Sequence, residues 1–132
     1  MNKIKKPRIT KKNKPKIKKN MQKTTLNFTF KLQPQMVVTT LTVEESSLEK
    51  NDLEKMRSES DHNTIEGKID FDIVSISDLI TISLEGVGAG LSSNGSLTVN
   101  FTYNGKKLFA DDKIVYADSG KFEMFETDIK LP

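Results

Sequence analysis

The chain has 132 residues, no cysteine and no tryptophan, and 30% of its residues are charged. This length accommodates one domain, and the lack of cysteine excludes disulfide bonds, thiolate nucleophiles and cysteine-based metal sites. No stretch approaches the roughly 18 apolar residues of a membrane-spanning helix, and the N-terminus lacks the apolar segment of a secretory signal. We therefore expect a cytoplasmic protein, or a component of a particle assembled in a cytoplasm, that makes no membrane contact.

The net charge of +3 is the sum of two segments of opposite sign. Residues 1–23, called the arm below, contain eleven basic residues and no acidic residue, whereas residues 24–132 contain ten basic and eighteen acidic residues, a net charge of −8. A segment this charged and this poor in apolar residues cannot offset its ordering entropy by burial. The arm is therefore predicted to be intrinsically disordered in isolation and to order on docking. Its basic residues are Lys3, Lys5, Lys6, Arg8, Lys11, Lys12, Lys14, Lys16, Lys18, Lys19 and Lys23.

Lysine dominates the arm, because Arg8 is its only arginine. Lysine contacts phosphate as a point charge, whereas bidentate recognition of bases is a property of arginine. Pro7 and Pro15 also forbid a continuous helix. We therefore predict an extended docked arm whose contacts with nucleic acid, where it makes them, are independent of base sequence.

From Thr24 onward the apolar residues recur with a period of two, which is typical of β-strands. Residues 26–32 read LNFTFKL and residues 36–43 read MVVTTLTV, which favours two strands paired as a hairpin. Further strands are predicted at 65–76, 79–84, 97–103, 106–109, 113–117 and 121–131, with a type I′ turn at Asn104-Gly105. Seven or eight short strands at roughly ten-residue spacing predict an all-β fold, either an antiparallel β-sandwich or a small barrel.

Two segments depart from this strand pattern. Residues 44–58 (EESSLEKNDLEKMRS) contain good helix formers, and the spacing of Thr42 and Glu45 matches a capping box, so one short surface helix is predicted there. In the last strand Phe122 and Met124 share one face, whereas Phe125 begins an apolar set on the other. This switch predicts a β-bulge near Met124 or a strand that is buried on both faces.

Two features could bind ions or phosphates. The glycine-rich stretch 85–96 (EGVGAGLSSNGS) could wrap a phosphate, but it lacks the Gly-Lys-Ser/Thr ending of a P-loop and precedes a strand, so a flexible inter-strand loop is the favoured interpretation. Five aspartates could gather at one end of a sandwich and hold Ca²⁺, although solvated strand faces and turns are favoured. These are Asp70, Asp72, Asp111, Asp112 and Asp118.

The remaining candidates for chemistry also favour structural roles. His62 is the sole histidine and lies in the polar stretch 58–64, with no nucleophile or partner ligand indicated beside it. Phe28, Phe30, Phe71, Phe101 and Phe122 could stack on bases, but they alternate with polar residues as core residues do. We therefore expect no catalytic residue, no metal, no cofactor and no small-molecule substrate.

The sequence favours a non-enzymatic structural component of a large assembly, such as an auxiliary or minor virion protein of the phage-capsid kind. Its arm would dock on neighbouring subunits, which could be copies of itself, or on packaged nucleic acid. The alternative is a ribosome-like nucleoprotein component whose arm binds DNA or RNA backbones without sequence preference. A third hypothesis makes the arm a targeting signal on a binding module.

Overall fold

A computed structural model describes residues 21–74, 76–88, 95–117 and 120–132. Those ranges contain nine strands and one short helix. The strands are β1 (Met21–Leu32), β2 (Met36–Val43), β3 (Ser46–Glu49), β4 (Thr64–Val74), β5 (Leu79–Gly88), β6 (Ser96–Tyr103), β7 (Lys106–Lys107), β8 (Lys113–Tyr116) and β9 (Lys121–Lys130), and the helix is α1 (Lys50–Glu54).

The strands form two antiparallel sheets. In the five-stranded sheet the order is β4-β1-β6, and both β7 and β8 pair with the far side of β6. In the four-stranded sheet the order is β3-β2-β5-β9. The predicted all-β antiparallel fold is therefore confirmed, and within the described ranges it is a sandwich of two sheets, not a closed barrel.

One apolar layer lies between the sheets, because every second residue of the long strands points into it. The aromatic side chains at its centre contact one another. Phe28 stacks on Phe30 with ring centroids 4.9 Å apart, and Phe30 meets Phe101 edge to face at 5.8 Å. Phe71 and Phe122 are buried as well. These five phenylalanines are thus core residues, as predicted.

Two β-bulges keep the alternation in phase with this layer. In β2 an extra residue at Thr39 allows both Val38 and Leu41 to point inward. In β9 the register shifts between Glu126 and Ile129, where Asp128 has a φ of 57°. The predicted bulge in the last strand therefore exists, but it lies beyond Met124. The alternative of burial on both faces is wrong, since Phe125 is 66% exposed.

The predicted hairpin of β1 and β2 is wrong, because the two strands belong to different sheets. The turn at 33–35, in which Gln35 has a φ of 73°, carries the chain across the sandwich. Either arrangement buries the same alternate residues, so the local pattern does not distinguish them. The predicted turn at Asn104-Gly105 is confirmed, since both residues have positive φ, 52° and 81°.

The predicted helix is much shorter than residues 44–58. Residues 46–49 pair with β2 as strand β3, and the helix begins only at Lys50. The Glu44 carboxylate accepts a hydrogen bond from the Thr81 N–H at 2.7 Å, which secures the tight turn between β2 and β3. The predicted capping box is also wrong: the Asp52 carboxylate accepts from the Glu49 N–H at 3.0 Å, and Thr42 lies in β2.

Arg57 fastens the segment that follows the helix. Its guanidinium donates to Glu54 Oε1 at 2.9 Å, to the Met36 carbonyl at 3.0 Å and to the His62 carbonyl. The adjoining backbone covers part of the free edge of β4, through an isolated bridge between Arg57 and Ile65 and a 2.8 Å bond from Ser58 N–H to the Thr64 carbonyl. One side chain thus connects the helix, the start of β2 and the turn before β4.

We predict that Arg57→Met destabilises the fold by about 2 kcal/mol or more, because two backbone carbonyls and a carboxylate lose a charged donor. The control Lys107→Met removes an ion pair whose two side chains are about half exposed, and should cost less than about 1 kcal/mol. Urea unfolding followed by circular dichroism measures both. Equal losses in the two variants would contradict the role assigned to Arg57.

We also predict that Gly86→Ala destabilises the fold by roughly 1–3 kcal/mol through overpacking. A Cβ at this buried position of β5 would collide with the ring of Phe122, its partner on β9, and with the Val37 carbonyl. Ser83→Ala, on the outer face of the same strand, should change the free energy of unfolding by less than about 0.5 kcal/mol. An unaltered unfolding midpoint for Gly86→Ala would show that the neighbouring strands yield easily.

Candidate functional site

The arm reaches the domain at one corner of the five-stranded sheet. Its basic residues from Lys3 to Lys19 lie outside the described residues. β1 begins at Met21, so Lys23, the last basic residue of the arm, is an exposed residue of that strand. Lys23 lies opposite Asp72 in the register of β1 and β4. The arm therefore enters the fold beside the free edge of β4.

The four candidate calcium ligands that the structure describes do not converge. Asp70 and Asp72 lie on β4, at one edge of the five-stranded sheet. Asp111 and Asp112 precede β8, on the far side of β6, and Asp112 pairs with Lys107 at 3.2 Å. Asp118 lies outside the described residues. In the ranges that the structure covers, no three His, Cys, Asp or Glu side chains are grouped to hold a metal ion.

The glycine-rich stretch begins inside a strand. Its first four residues, 85–88, belong to β5, and residues 89–94 lie outside the described ranges. On either side the backbone is bonded to neighbouring turns, by Gly88 N–H to the Gly120 carbonyl at 2.7 Å and by Ala117 N–H to the Gly95 carbonyl at 2.8 Å. The first of these hydrogen bonds joins the end of β5 to the residue before β9, and the second joins the residue after β8 to the residue before β6.

His62 lies in a turn that the neighbouring Asp61 organises. The Asp61 carboxylate accepts the Thr64 hydroxyl at 2.8 Å and the Asn63 N–H at 3.1 Å. The Thr64 hydrogen bond, and then that of Asn63, lower the pKa of Asp61 below its ordinary value. The His62 side chain is exposed, and its carbonyl is a partner of Arg57. Asp61 and His62 thus both accept hydrogen bonds that stabilise the turn before β4.

A groove on the outer face of the four-stranded sheet is a site that sequence reasoning missed. It runs over β5 and β9 toward the end of β8, has a volume of about 650 Å³, and is called the β5–β9 groove. Its walls include Val87 and Tyr116, which are 37% and 67% exposed. Phe125, also exposed, lies two positions beyond Glu123 along β9. The sequence does contain a signal for an exposed apolar surface here. Val87 and Phe125 are apolar, but they lie at strand positions that alternate out of phase with the core residues.

Two carboxylates lie opposite each other in this groove. Glu85 of β5 and Glu123 of β9 are direct register partners and both line it. Like charges at such positions, about 5 Å apart at Cβ, are mutually unfavourable. Among the described residues neither carboxylate has a basic group within 4.0 Å, although Lys121 also lines the groove. The groove therefore combines the apolar surfaces of Val87 and Tyr116 with two facing carboxylates and one lysine, so that its lining has one negative charge in excess.

We predict that Thr64→Val raises the pKa of Asp61 toward the ordinary aspartate value, because the variant keeps the shape and removes the hydroxyl donor. A lowered native pKa gives stability that is present above the unfolded-state pKa and is lost as pH falls through the native pKa. The variant should thus lose less stability between pH 5 and pH 3, as measured by carboxyl NMR titration and acid unfolding. An unshifted Asp61 titration would contradict this origin of the low pKa.

Among the described residues no helix is long and apolar enough to cross a membrane. No family model, no curated protein and no solved structure matches this chain. No relative therefore indicates a substrate, a partner or a site residue, and the charge division and the β5–β9 groove are the features that bear on function.

Proposed function

We propose that this protein is a non-enzymatic structural component of a large assembly, an auxiliary or minor virion protein of the phage-capsid kind, assembled in a host cytoplasm. The single observation that carries the proposal is the division of charge between an arm with eleven basic residues and a domain of net charge −8. The domain packs among subunits, and the arm docks on a neighbouring subunit or on packaged nucleic acid.

The composition of the arm supports an intermolecular role. Like charges at this density repel each other, and the isolated isoleucines Ile4, Ile9 and Ile17 cannot form a core. Ordering such a segment requires an external surface that supplies negative charge. A chain that has these residues at one end of a compact domain is suited to tie that domain to a larger structure.

The surface of the domain supports a binding role in preference to catalysis. Its titratable side chains are mostly exposed and dispersed over the part of the domain that the structure describes, and Asp61, whose pKa is lowered by its hydrogen bonds, is occupied in a turn. By contrast, large apolar side chains are exposed on the outer faces of both sheets, including Ile114, Tyr116 and Phe125. Exposed apolar side chains of this size are typical of contact surfaces where they lie close together.

The test is co-sedimentation of the tagged full chain with particles from its native source. We expect the full chain to migrate with particles in a density gradient. A variant with Gln at the ten basic positions from Lys3 to Lys19 should remain at the top of the gradient. Urea unfolding of both proteins should give the same midpoint, because the core lies within residues 26–131.

A full chain that never enters a particle fraction would contradict the proposal. Nuclease treatment distinguishes the partners of the arm. Release of the protein by nuclease, together with a loss of nucleic-acid affinity on the order of 10³-fold or more between 50 and 200 mM salt, would identify the nucleoprotein alternative. Retention after nuclease treatment would identify a protein partner.

A further inference from the structure

We propose that the arm of one copy of this chain docks in the β5–β9 groove of a second copy. This inference rests on the proposed function and names the partner of the arm as a copy of the same protein. The contact would supply the negative charge that the arm needs and would place further positive charge beside the facing carboxylates of Glu85 and Glu123.

The chemistry of the groove matches lysine in both parts of its side chain. A lysine side chain buries its hydrocarbon stem along apolar surface while its ammonium group reaches a polar partner. In the groove, Val87 and Tyr116 provide the apolar surface, and Glu85 and Glu123 provide the carboxylates. The exposed rings of Tyr116 and Phe125 also offer faces that attract a cation.

The spacing of charge in the arm fits a pair of facing carboxylates. In an extended segment, residues two apart point to the same side and lie about 7 Å apart. The arm contains such pairs of basic residues, for example Lys3 with Lys5, and Lys16 with Lys18. Each pair can span Glu85 and Glu123, which removes the like-charge repulsion between them.

The position of the groove favours a second copy over the arm's own domain. The arm joins β1 at Met21, and β1 then runs the length of the sandwich to Leu32. The groove lies toward the far end, near the pairing of Met36 with Gly88 and on the opposite sheet. Glu85 pairs with Thr40, four residues along β2 from Glu44, which lies beside Met21, and its side chain is on the outer face of the opposite sheet. The five residues from Lys16 to Met21 extend at most about 17 Å, which does not carry them along the sandwich and around to that face. The basic residues near the domain can reach this groove only on a neighbour.

This geometry makes the contact head-to-tail. The arm leaves one end of the domain, and the receiving groove lies toward the other, so the two surfaces of the interface differ. Contacts of this kind close into rings or continue as filaments, whereas a contact between identical patches stops at a dimer. Two copies can also exchange arms reciprocally, which closes a dimer. Self-association of the full chain should therefore reach the dimer or larger complexes.

The test is sedimentation velocity of the nuclease-treated full chain across a range of concentration and salt. We expect association to dimers or larger complexes at about 50 mM salt that weakens at about 500 mM, where exposed charges are screened. In E85Q/E123Q the association should be at least about fivefold weaker. The matched control E66Q/D72N makes the same change of charge on the outer face of β4 and should associate like the unaltered chain.

Exposed apolar positions provide a second matched pair. Tyr116→Ser should weaken association, whereas Ile114→Ser, two positions earlier on β8 and outside the groove lining, should not. Both side chains are more than half exposed, so neither change should disturb the core. A synthetic peptide of residues 1–20 added in excess should compete with the arm and lower the average mass of the complexes.

A full chain that stays monomeric at low salt would overturn the proposal. Equal weakening in E85Q/E123Q and E66Q/D72N would also overturn it, since the attraction would then be a general one between opposite charges. Association that Tyr116→Ser abolishes but the peptide and salt leave unchanged would identify an apolar contact without the arm. A monomeric chain that still needs its arm to enter particles would overturn self-docking alone and leave the assembly role standing.

Discussion

A single apolar layer must receive the alternate side chains of every long strand, and most of the architecture follows from this requirement. A strand whose alternation slips by one residue turns its apolar side chains to solvent, so each strand has to stay in phase with the layer over its whole length. The bulge at Thr39 and the bulge around Asp128 restore the phase where the sequence changes it. They also set which side chains of β2 and β9 face outward beyond each bulge.

Hydrogen bonds between residues far apart in the sequence hold the segments that do not belong to the sheets. Arg57 connects the helix to the start of β2 and to the turn before β4, and the Glu44 carboxylate binds the backbone of β5. Both act on backbone groups that would otherwise lose their hydrogen-bond partners on burial. The rest of the ion pairs are more exposed and contribute less. Stability therefore comes from the core and from these two connections, which leaves the outer charges available for contacts with other molecules.

These outer charges are distributed unevenly between the two ends of the sandwich. The positively charged arm joins the sandwich at the Met21 end, and the facing carboxylates Glu85 and Glu123 lie toward the other end, where they exceed the one lysine of the groove. Electrostatic complementarity of this kind orients partners and accelerates their encounter, while apolar contacts such as those of Tyr116 add affinity. The proposed assembly role and the proposed head-to-tail contact both follow from this polarity.

Alternation, turn chemistry and net charge are local properties of a chain. The sequence alone was therefore enough to predict the all-β class, the central phenylalanines, the turn at Asn104-Gly105 and the division of charge. Which strands pair was decided by the tertiary structure, since β1 and β2 bury the same residues in one sheet or in two. Residues 46–49 form a strand in spite of their predicted helical preference, because β2 supplies hydrogen-bond partners for their backbone groups. The β5–β9 groove could not be predicted for the same reason. Glu85 and Glu123 are far apart in the sequence, and only the register of two paired strands places their charges side by side.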